Sequence, residues 1–167
     1  MNADAFRHFF DYHFNENRTI WDKFVSQLSD EQFTEAVTYS HGSVRNQMVH
    51  IMDVDDAWFS DLRGVKIRNE LDPATVDRKK IRAHWDGVEQ AMRDYLAGLR
   101  DETLLEKPLQ GEDKDLAVWQ VLLQVANHGT DHRAQVLRLL KDLGLKTTSQ
   151  DYVFYAYDHP VETRNSS

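Results

Sequence analysis

Apolar residues recur at steps of three and four along four long segments of this 167-residue chain. This spacing places them on one side of an α-helix, because the helix turns once every 3.6 residues. Glycine and proline, which weaken or end helices, number only 7 and 3. The pattern therefore predicts an all-α chain in which four amphipathic helices bury their apolar sides against one another as a helical bundle.

Capping residues set the predicted helix boundaries. Asp72 is a candidate N-cap with Pro73 at the first helical position, and Gly64 and Gly144 stand where helices commonly end in a left-handed residue. The four helices predicted in this way span residues 4–28, 43–63, 73–99 and 115–143.

Shorter elements join these helices. Ser29 and Gln32 have the spacing of a capping box, which predicts a short helix or turn near residues 31–36. Residues 101–114 are predicted as a loop. The aromatic segment 151–157 fits either a short helix or an extended strand, and its periodicity does not separate the two.

The length of the chain predicts one domain, which we assign to residues 1–160, followed by a frayed tail at 161–167. The 28 acidic and 20 basic residues give a net charge of −8, which opposes binding to nucleic acids and to anionic membranes. The sequence shows neither a signal peptide nor a stretch of about 20 apolar residues. We therefore expect a soluble, cytoplasmic protein.

The chain contains no cysteine, so it has no disulfide, thiolate metal site or cysteine nucleophile. Any chemistry must use histidine, carboxylates, hydroxyls or a group supplied from outside. The P-loop, the dinucleotide-binding fingerprint and the Gly-x-Ser-x-Gly turn are also absent from the sequence.

The fourth predicted helix carries His128 and His132, whose spacing of four places both rings on one side of the helix. Both lie at the edge of its apolar stripe. The zincin motif His-Glu-x-x-His is excluded, because Gly129 stands where that motif has its glutamate base. The glycine instead leaves room for another helix or a small ligand. The pair is thus either part of a metal site or two hydrogen-bonded histidines at a helix interface.

Polar residues also interrupt the apolar stripes of two other helices. His50 lies at the flank of the second stripe and Asp55 in its middle, while His13 and Asn17 interrupt the first. A buried carboxylate needs a partner, a proton or an ion. These residues indicate either a polar cavity inside the bundle or a buried hydrogen-bond network that fixes helix register.

The remaining histidines have no partner at the spacing of metal ligands, and we interpret them as surface or loop residues. They are His8, His41, His84 and His159.

Two separated motifs resemble those of the DinB/YfiT-like family. The first is Gly42-Ser43-Val44-Arg45-Asn46-Gln47-Met48-Val49-His50-Ile51, followed by Asp55 and Trp58. The second is Asn127-His128-Gly129-Thr130-Asp131-His132-Arg133-Ala134-Gln135-Val136, followed by Leu143-Gly144. The stretches 12–17 and 151–155 also fit, so the resemblance spans nearly the whole chain.

The resemblance implies a four-helix bundle of up-down-down-up type, usually a homodimer, with a divalent metal held by His50, His128 and His132. Asp55 stands where many members of the family carry glutamate. The family includes bacterial S-transferases that use low-molecular-weight thiols, a maleylpyruvate isomerase, and members of unknown activity.

The leading hypothesis is therefore a metal-dependent thiol S-transferase or hydrolase. In it, Zn²⁺ or Ni²⁺ activates a water or an exogenous thiol against a small-molecule substrate, and Asp55 orients the site or acts as a base. The alternative is a non-catalytic, stress-related dimeric bundle that binds a metal or a ligand.

Overall fold

The computed structural model describes residues 1–67 and 71–161, and within these ranges all regular structure is helical, with no strand. This confirms the all-α prediction. Six α-helices occur there, and the four long ones correspond to the four predicted segments. The helices are α1 (Ala3–Lys23), α2 (Asp30–Thr34), α3 (Val44–Leu62), α4 (Arg78–Ala97), α5 (Val118–Asp142) and α6 (Tyr152–Asp158).

Local capping explains most of the helix starts. The Ser29 hydroxyl accepts from the backbone N–H of Gln32, whose side chain accepts in return from the Ser29 N–H, so the predicted capping box opens α2. Ser43 caps α3 in the same way, accepting from the N–H of Asn46 at 3.1 Å. Gly64 and Gly144 both adopt positive φ just after α3 and α5, as predicted.

The predicted start of the third long helix is wrong. Asp72 does not cap it: its carboxylate accepts from the Ala74 N–H and the Thr75 hydroxyl and closes a separate turn. The helix begins five residues later than Pro73, at Arg78, where Asp77 accepts from the Lys80 N–H at 2.8 Å. Asp77 is therefore the N-cap of α4.

The other long helices end or begin slightly inside their predicted limits. The first α-helix stops at Lys23, not at 28, and the chain continues as a 3₁₀ turn at Val25–Gln27. The last long helix begins at Val118, not at 115. Two further 3₁₀ turns, Thr103–Leu105 and Gly111–Asp113, lie in the segment predicted as a loop.

The four long helices share one hydrophobic core. Helix α3 packs against α4 and α5, and α1 packs against the same two helices. The packing between α3 and α5 places the middle of each helix beside the other, and this is where the candidate functional residues lie. Core side chains with no exposed surface include Phe10, Ile51, Met52, Ile81, Leu122 and Leu140.

The C-terminal aromatic segment is a short helix, α6, which resolves the alternative left open by periodicity. Its Tyr152 and Tyr155 rings contact the rings of His8 and Tyr12 on α1, at centroid distances of 5.3–6.1 Å. The predicted frayed tail lies outside the described residues, apart from Val161. None of the helices described here has the length and apolar character needed to cross a membrane.

Candidate metal centre

Four histidine side chains meet where α3 packs against α5. His50 comes from α3, His128 and His132 come from α5, and His41 comes from the turn before α3. The Nε2 atoms of His50 and His128 are 3.1 Å apart. The ring of His132 has its centre 4.2 Å from that of His128 and 4.5 Å from that of His50.

The separation of the His50 and His128 nitrogens fits a shared metal ion. Two nitrogens bound to one tetrahedral Zn²⁺ at about 2.0–2.1 Å would lie about 3.3 Å apart. The 3.1 Å between His50 and His128 is close to that value, although it also suits an N–H···N hydrogen bond between two neutral rings. A hydrogen-bonded pair would not require a third ring beside it, whereas a metal site would.

Neighbouring polar groups leave the required lone pairs free. Gln47 Oε1 lies 3.0 Å from His132 Nδ1 and accepts a hydrogen bond from it, so the ring carries its proton on Nδ1 and Nε2 is free to bind a metal. Gln135 Oε1 accepts a hydrogen bond from the Gln47 amide at 2.9 Å. The Gln47 side chain is thereby fixed with its oxygen toward the ring.

Burial favours the neutral form of the three half-buried imidazoles, those of His50, His128 and His132. Burial is the main cause that lowers the pKa of His50 to about 4, and the charges on His41, His132 and His128 contribute to the same shift. Burial also lowers the pKa of His128, with His132 adding to the effect and Asp55 opposing it. The pKa of His132 is lowered by burial and by His41. Neutral imidazole is the form that binds metal ions, so the cluster is ready to bind one at neutral pH.

His41 is the residue that sequence analysis missed. It is an exposed turn residue, as predicted, and the structure gives it neighbours that its spacing along the chain does not indicate. Its ring stacks on that of His50, with centroids 3.8 Å apart and planes inclined by 24°. One nitrogen each of His41, His50 and His132 lie within 4.8 Å of one another, which makes these three a possible metal-binding group. The position of the His41 ring depends on the shape of a turn, so spacing along the chain does not predict it.

A second polar group lies beneath the histidines, between α1, α3 and α5. His13 Nε2 is 3.0 Å from Asp55 Oδ2, and His13 Nδ1 is 3.1 Å from Arg133 Nη1. The guanidinium only donates, so Nδ1 is the acceptor and the ring carries its proton on Nε2, which donates to Asp55. Asn17 Oδ1 accepts from the same Arg133 nitrogen at 3.1 Å. Of the two alternatives drawn from sequence, these contacts correspond to the buried network.

Arg133 is the centre of this network and is 1% exposed. Its Nε donates to Gln150 Oε1 and its Nη2 to Thr130 Oγ1, each at 3.0 Å. Burial lowers the pKa of the guanidinium, and Tyr12 and Asp55 oppose that shift. The sequence did contain a signal for it, since Arg133 stands four residues after Gly129 on the apolar side of α5.

Five buried side-chain atoms lack a hydrogen-bond partner in the part of the chain that the structure describes, and two of them belong to this region. These two are Asp55 Oδ1 and His128 Nδ1. A histidine that binds a metal through one nitrogen usually donates the N–H of the other to a carboxylate, a carbonyl or water. His128 Nδ1 has no such partner among the described residues, so this atom adds no support for metal bound at Nε2.

Gly129 makes room for the network. A Cβ at this position would lie 2.4 Å from His13 Cε1 and 3.0 Å from Arg133 Nη1, closer than carbon atoms tolerate. The space expected beside the histidines is thus filled by a side chain of another helix, α1, and no cavity for a small ligand lies at this point. Only glycine lets α1 bring His13 against α5.

Replacing Gly129 with alanine should destabilise the protein. In an exposed helix the same change stabilises by about 1 kcal/mol, because alanine has the higher helix propensity. Here the added methyl group should displace His13 and cost roughly 1–3 kcal/mol, as overpacking does. Urea unfolding of this variant and of a control variant measures the change in the free energy of unfolding. Gly87→Ala is the matched control, since Gly87 is an exposed residue of α4 with open space around it, and it should stabilise. Equal shifts for the two variants would contradict the assigned role of Gly129.

The lowered pKa of His50 predicts a pH dependence for the metal-free protein. In the unfolded chain this pKa returns to about 6.5, so between pH 6.5 and 4 the unfolded state binds more protons than the folded state. The free energy of unfolding should be unaffected by His50 above pH 6.5 and should fall as the pH drops toward 4. Urea unfolding of chelator-treated protein should show a steeper decline in the wild type than in His50→Gln. Parallel curves would show that burial does not disfavour the charged ring.

Comparison with known proteins identifies the group to which this structure belongs. The DinB family model matches residues 1–164. Protein DinB of Bacillus subtilis (strain 168) is 23% identical over 167 residues, which cover 94% of this chain and 96% of the relative. The match confirms the resemblance carried by the two histidine motifs, and a cluster of histidines that could hold a metal is compatible with it. The chain belongs to the DinB family.

Proposed function

We propose that this protein is a divalent-metal-dependent enzyme in which His50, His128 and His132 hold Zn²⁺ or Ni²⁺. The observation that carries the proposal is the convergence of the three rings, with the Nε2 atoms of His50 and His128 only 3.1 Å apart. Two of the ligands lie one helical turn apart on α5 and the third lies across the helix interface on α3. Packing of the two helices therefore assembles the site.

The proposed reaction is thiol S-transfer or hydrolysis of a small-molecule substrate. A metal held by three neutral imidazoles has open positions, and it lowers the pKa of a bound water or thiol toward neutrality. Because the chain has no cysteine, the thiol would be a low-molecular-weight one supplied from solution. Hydrolysis would require only water.

The surrounding residues would orient the ligands. Gln47 holds His132 in the tautomer that leaves Nε2 free. Asp55 is 0% exposed and its Oδ2 already accepts from His13. These contacts favour a positioning role for Asp55 over a role as the base that takes a proton from substrate, because a substrate would have no access to it.

The proposal also covers the domain, the oligomeric state and the cellular location of the protein. We infer one bundle domain over residues 1–160, with up-down-down-up helix order, acting as a homodimer in a bacterial cytoplasm. The mutual contacts of α1, α3, α4 and α5 support the bundle. The net charge of −8 argues against nucleic acid as a partner.

One observation favours a second candidate function. The carboxylate of Asp55 is buried, so it is not placed to take a proton from a substrate at the three rings. A bundle that binds a metal or ligand without catalysis, with a stress-related role, would need no such base. Activity against thiols separates the two candidates.

Removal of a ligand should weaken metal binding. In untagged protein, His128→Ala should lower the affinity for Zn²⁺ and Ni²⁺ by more than about tenfold, since even residues that only orient a ligand cost 10–100-fold. Competition with a chromogenic chelator measures the affinity. His159→Ala is the control, because His159 is an exposed histidine that contacts Tyr155 on α6. Unchanged affinity in His128→Ala would contradict the three-histidine site.

The thiol part of the proposal has its own test. Thiols should bind the open position and change the visible absorption of Co²⁺-substituted protein, because a sulfur ligand adds charge-transfer bands. The measurement is a titration with glutathione, bacillithiol and mycothiol, with γ-Glu-Ser-Gly, the hydroxyl analogue of glutathione, as control. A spectrum that no thiol alters would remove the S-transferase and leave the hydrolase and the binding role.

A further inference from the structure

The turn before α3 carries a fourth histidine into the site. The side chain of His41 is exposed, whereas the other three rings are half-buried on helices. Its ring lies face to face with His50 at 3.8 Å, and its centre is 5.3 Å from that of His132. It is the one imidazole of the four whose position is set by a turn and not by helix packing.

The turn is held in an unusual backbone conformation. Ser40 has a φ of 49°, in the left-handed region that residues other than glycine rarely adopt. Such a conformation persists only where surrounding contacts maintain it. The Ser40 hydroxyl bonds to Gln135, and the Asn46 side chain donates to the His41 carbonyl at 2.9 Å. The contacts on both sides of His41 therefore direct its ring toward the cluster.

The turn is also connected to the residues that orient the ligands. Gln135 Oε1 accepts hydrogen bonds from the Ser40 hydroxyl and from the Gln47 amide. Gln47 Oε1 in turn accepts the hydrogen bond of His132 Nδ1. A single set of hydrogen bonds thus links the turn that carries His41 to the orientation of His132.

Resting on the proposed function, we propose that His41 supplies the fourth nitrogen ligand to the metal held by the other three histidines, and that it is the ligand that exchanges. One nitrogen of His41 already lies within 4.8 Å of nitrogens on His50 and His132. Ligands of one tetrahedral ion lie about 3.3 Å apart. A shift of at most about 1.5 Å, the difference between that upper limit and this separation, would therefore bring His41 into the coordination sphere.

The stacked geometry accounts for the exchange. Imidazoles that bind the same ion point their nitrogens at it from different directions, whereas the rings of His41 and His50 are stacked nearly parallel. In the stacked position, His41 leaves the fourth coordination site open for water or thiol. In the coordinated position it closes the site, and closed four-ligand sites are typical of structural zinc. His41 would thus compete with the exogenous ligand for the metal.

Three substitutions test this inference on untagged, full-length protein. His41→Ala removes the ring, His41→Phe keeps a ring that can stack on His50 but has no nitrogen, and His159→Ala is the control for loss of a distant exposed histidine. The measurements are Zn²⁺ affinity by chelator competition and the visible spectrum of the Co²⁺-substituted forms. Imidazole in solution serves as the probe for the position that His41 vacates.

Both His41 variants should lose at least about tenfold in Zn²⁺ affinity and should show an altered Co²⁺ spectrum. Added imidazole should restore the wild-type spectrum in both variants and leave the wild type unchanged. His159→Ala should match the wild type throughout. If His41→Phe keeps wild-type affinity and spectrum, His41 contributes only stacking and the inference is wrong.

His50→Ala separates failure of this inference from failure of the proposed function. If His50→Ala loses Zn²⁺ binding while both His41 variants retain it, the three-histidine site stands and only the role of His41 is overturned. If neither His50→Ala nor the His41 variants change the affinity, the metal site itself is wrong, and so is the inference built on it.

Discussion

A guanidinium buried between α1 and α5 determines how these helices meet. Arg133 is 1% exposed, and its N–H groups need acceptors because an unpaired buried charge is costly. His13 and Asn17 on α1 supply acceptors, and Asp55 on α3 accepts a hydrogen bond from His13. A glycine at 129 leaves space for this contact. The same turn of α5 carries His128 and His132, so the register that satisfies the buried charge also positions the candidate metal ligands.

Much of the fold follows from local properties of the sequence. Apolar spacing and capping residues predicted the four long helices, because both act within one or two helical turns. The predicted start of α4 was wrong because Asp72 and Asp77 are both suitable N-caps. Tertiary contacts decide which of the two caps the helix. Val76 is buried between the two, and Arg78 donates to the Leu28 carbonyl at 2.6 Å. Such contacts involve distant parts of the chain and leave no periodic signal.

The candidate site likewise contains residues that local spacing predicts and one residue that it does not. His128 and His132 are recognisable as a pair because helical spacing alone brings them together, and Asp55 is recognisable because it is a charge within an apolar stripe. His41 was misjudged because its ring reaches His50 only through a turn in which Ser40 has positive φ. Loops obey no periodicity, so a residue nine positions before His50 can be brought onto its ring without any pattern in the sequence.

The central claim is that packing of α3 against α5 creates a histidine site for a divalent metal. X-ray absorption at the metal edge, on untagged protein loaded with Zn²⁺ or Ni²⁺, tests it most directly because it counts the imidazoles around the ion. The account predicts nitrogen ligands at about 2.0–2.1 Å for Zn²⁺, with outer scattering from at least three imidazole rings. A shell of oxygen ligands with fewer than three imidazoles, or protein that retains no metal, would contradict it.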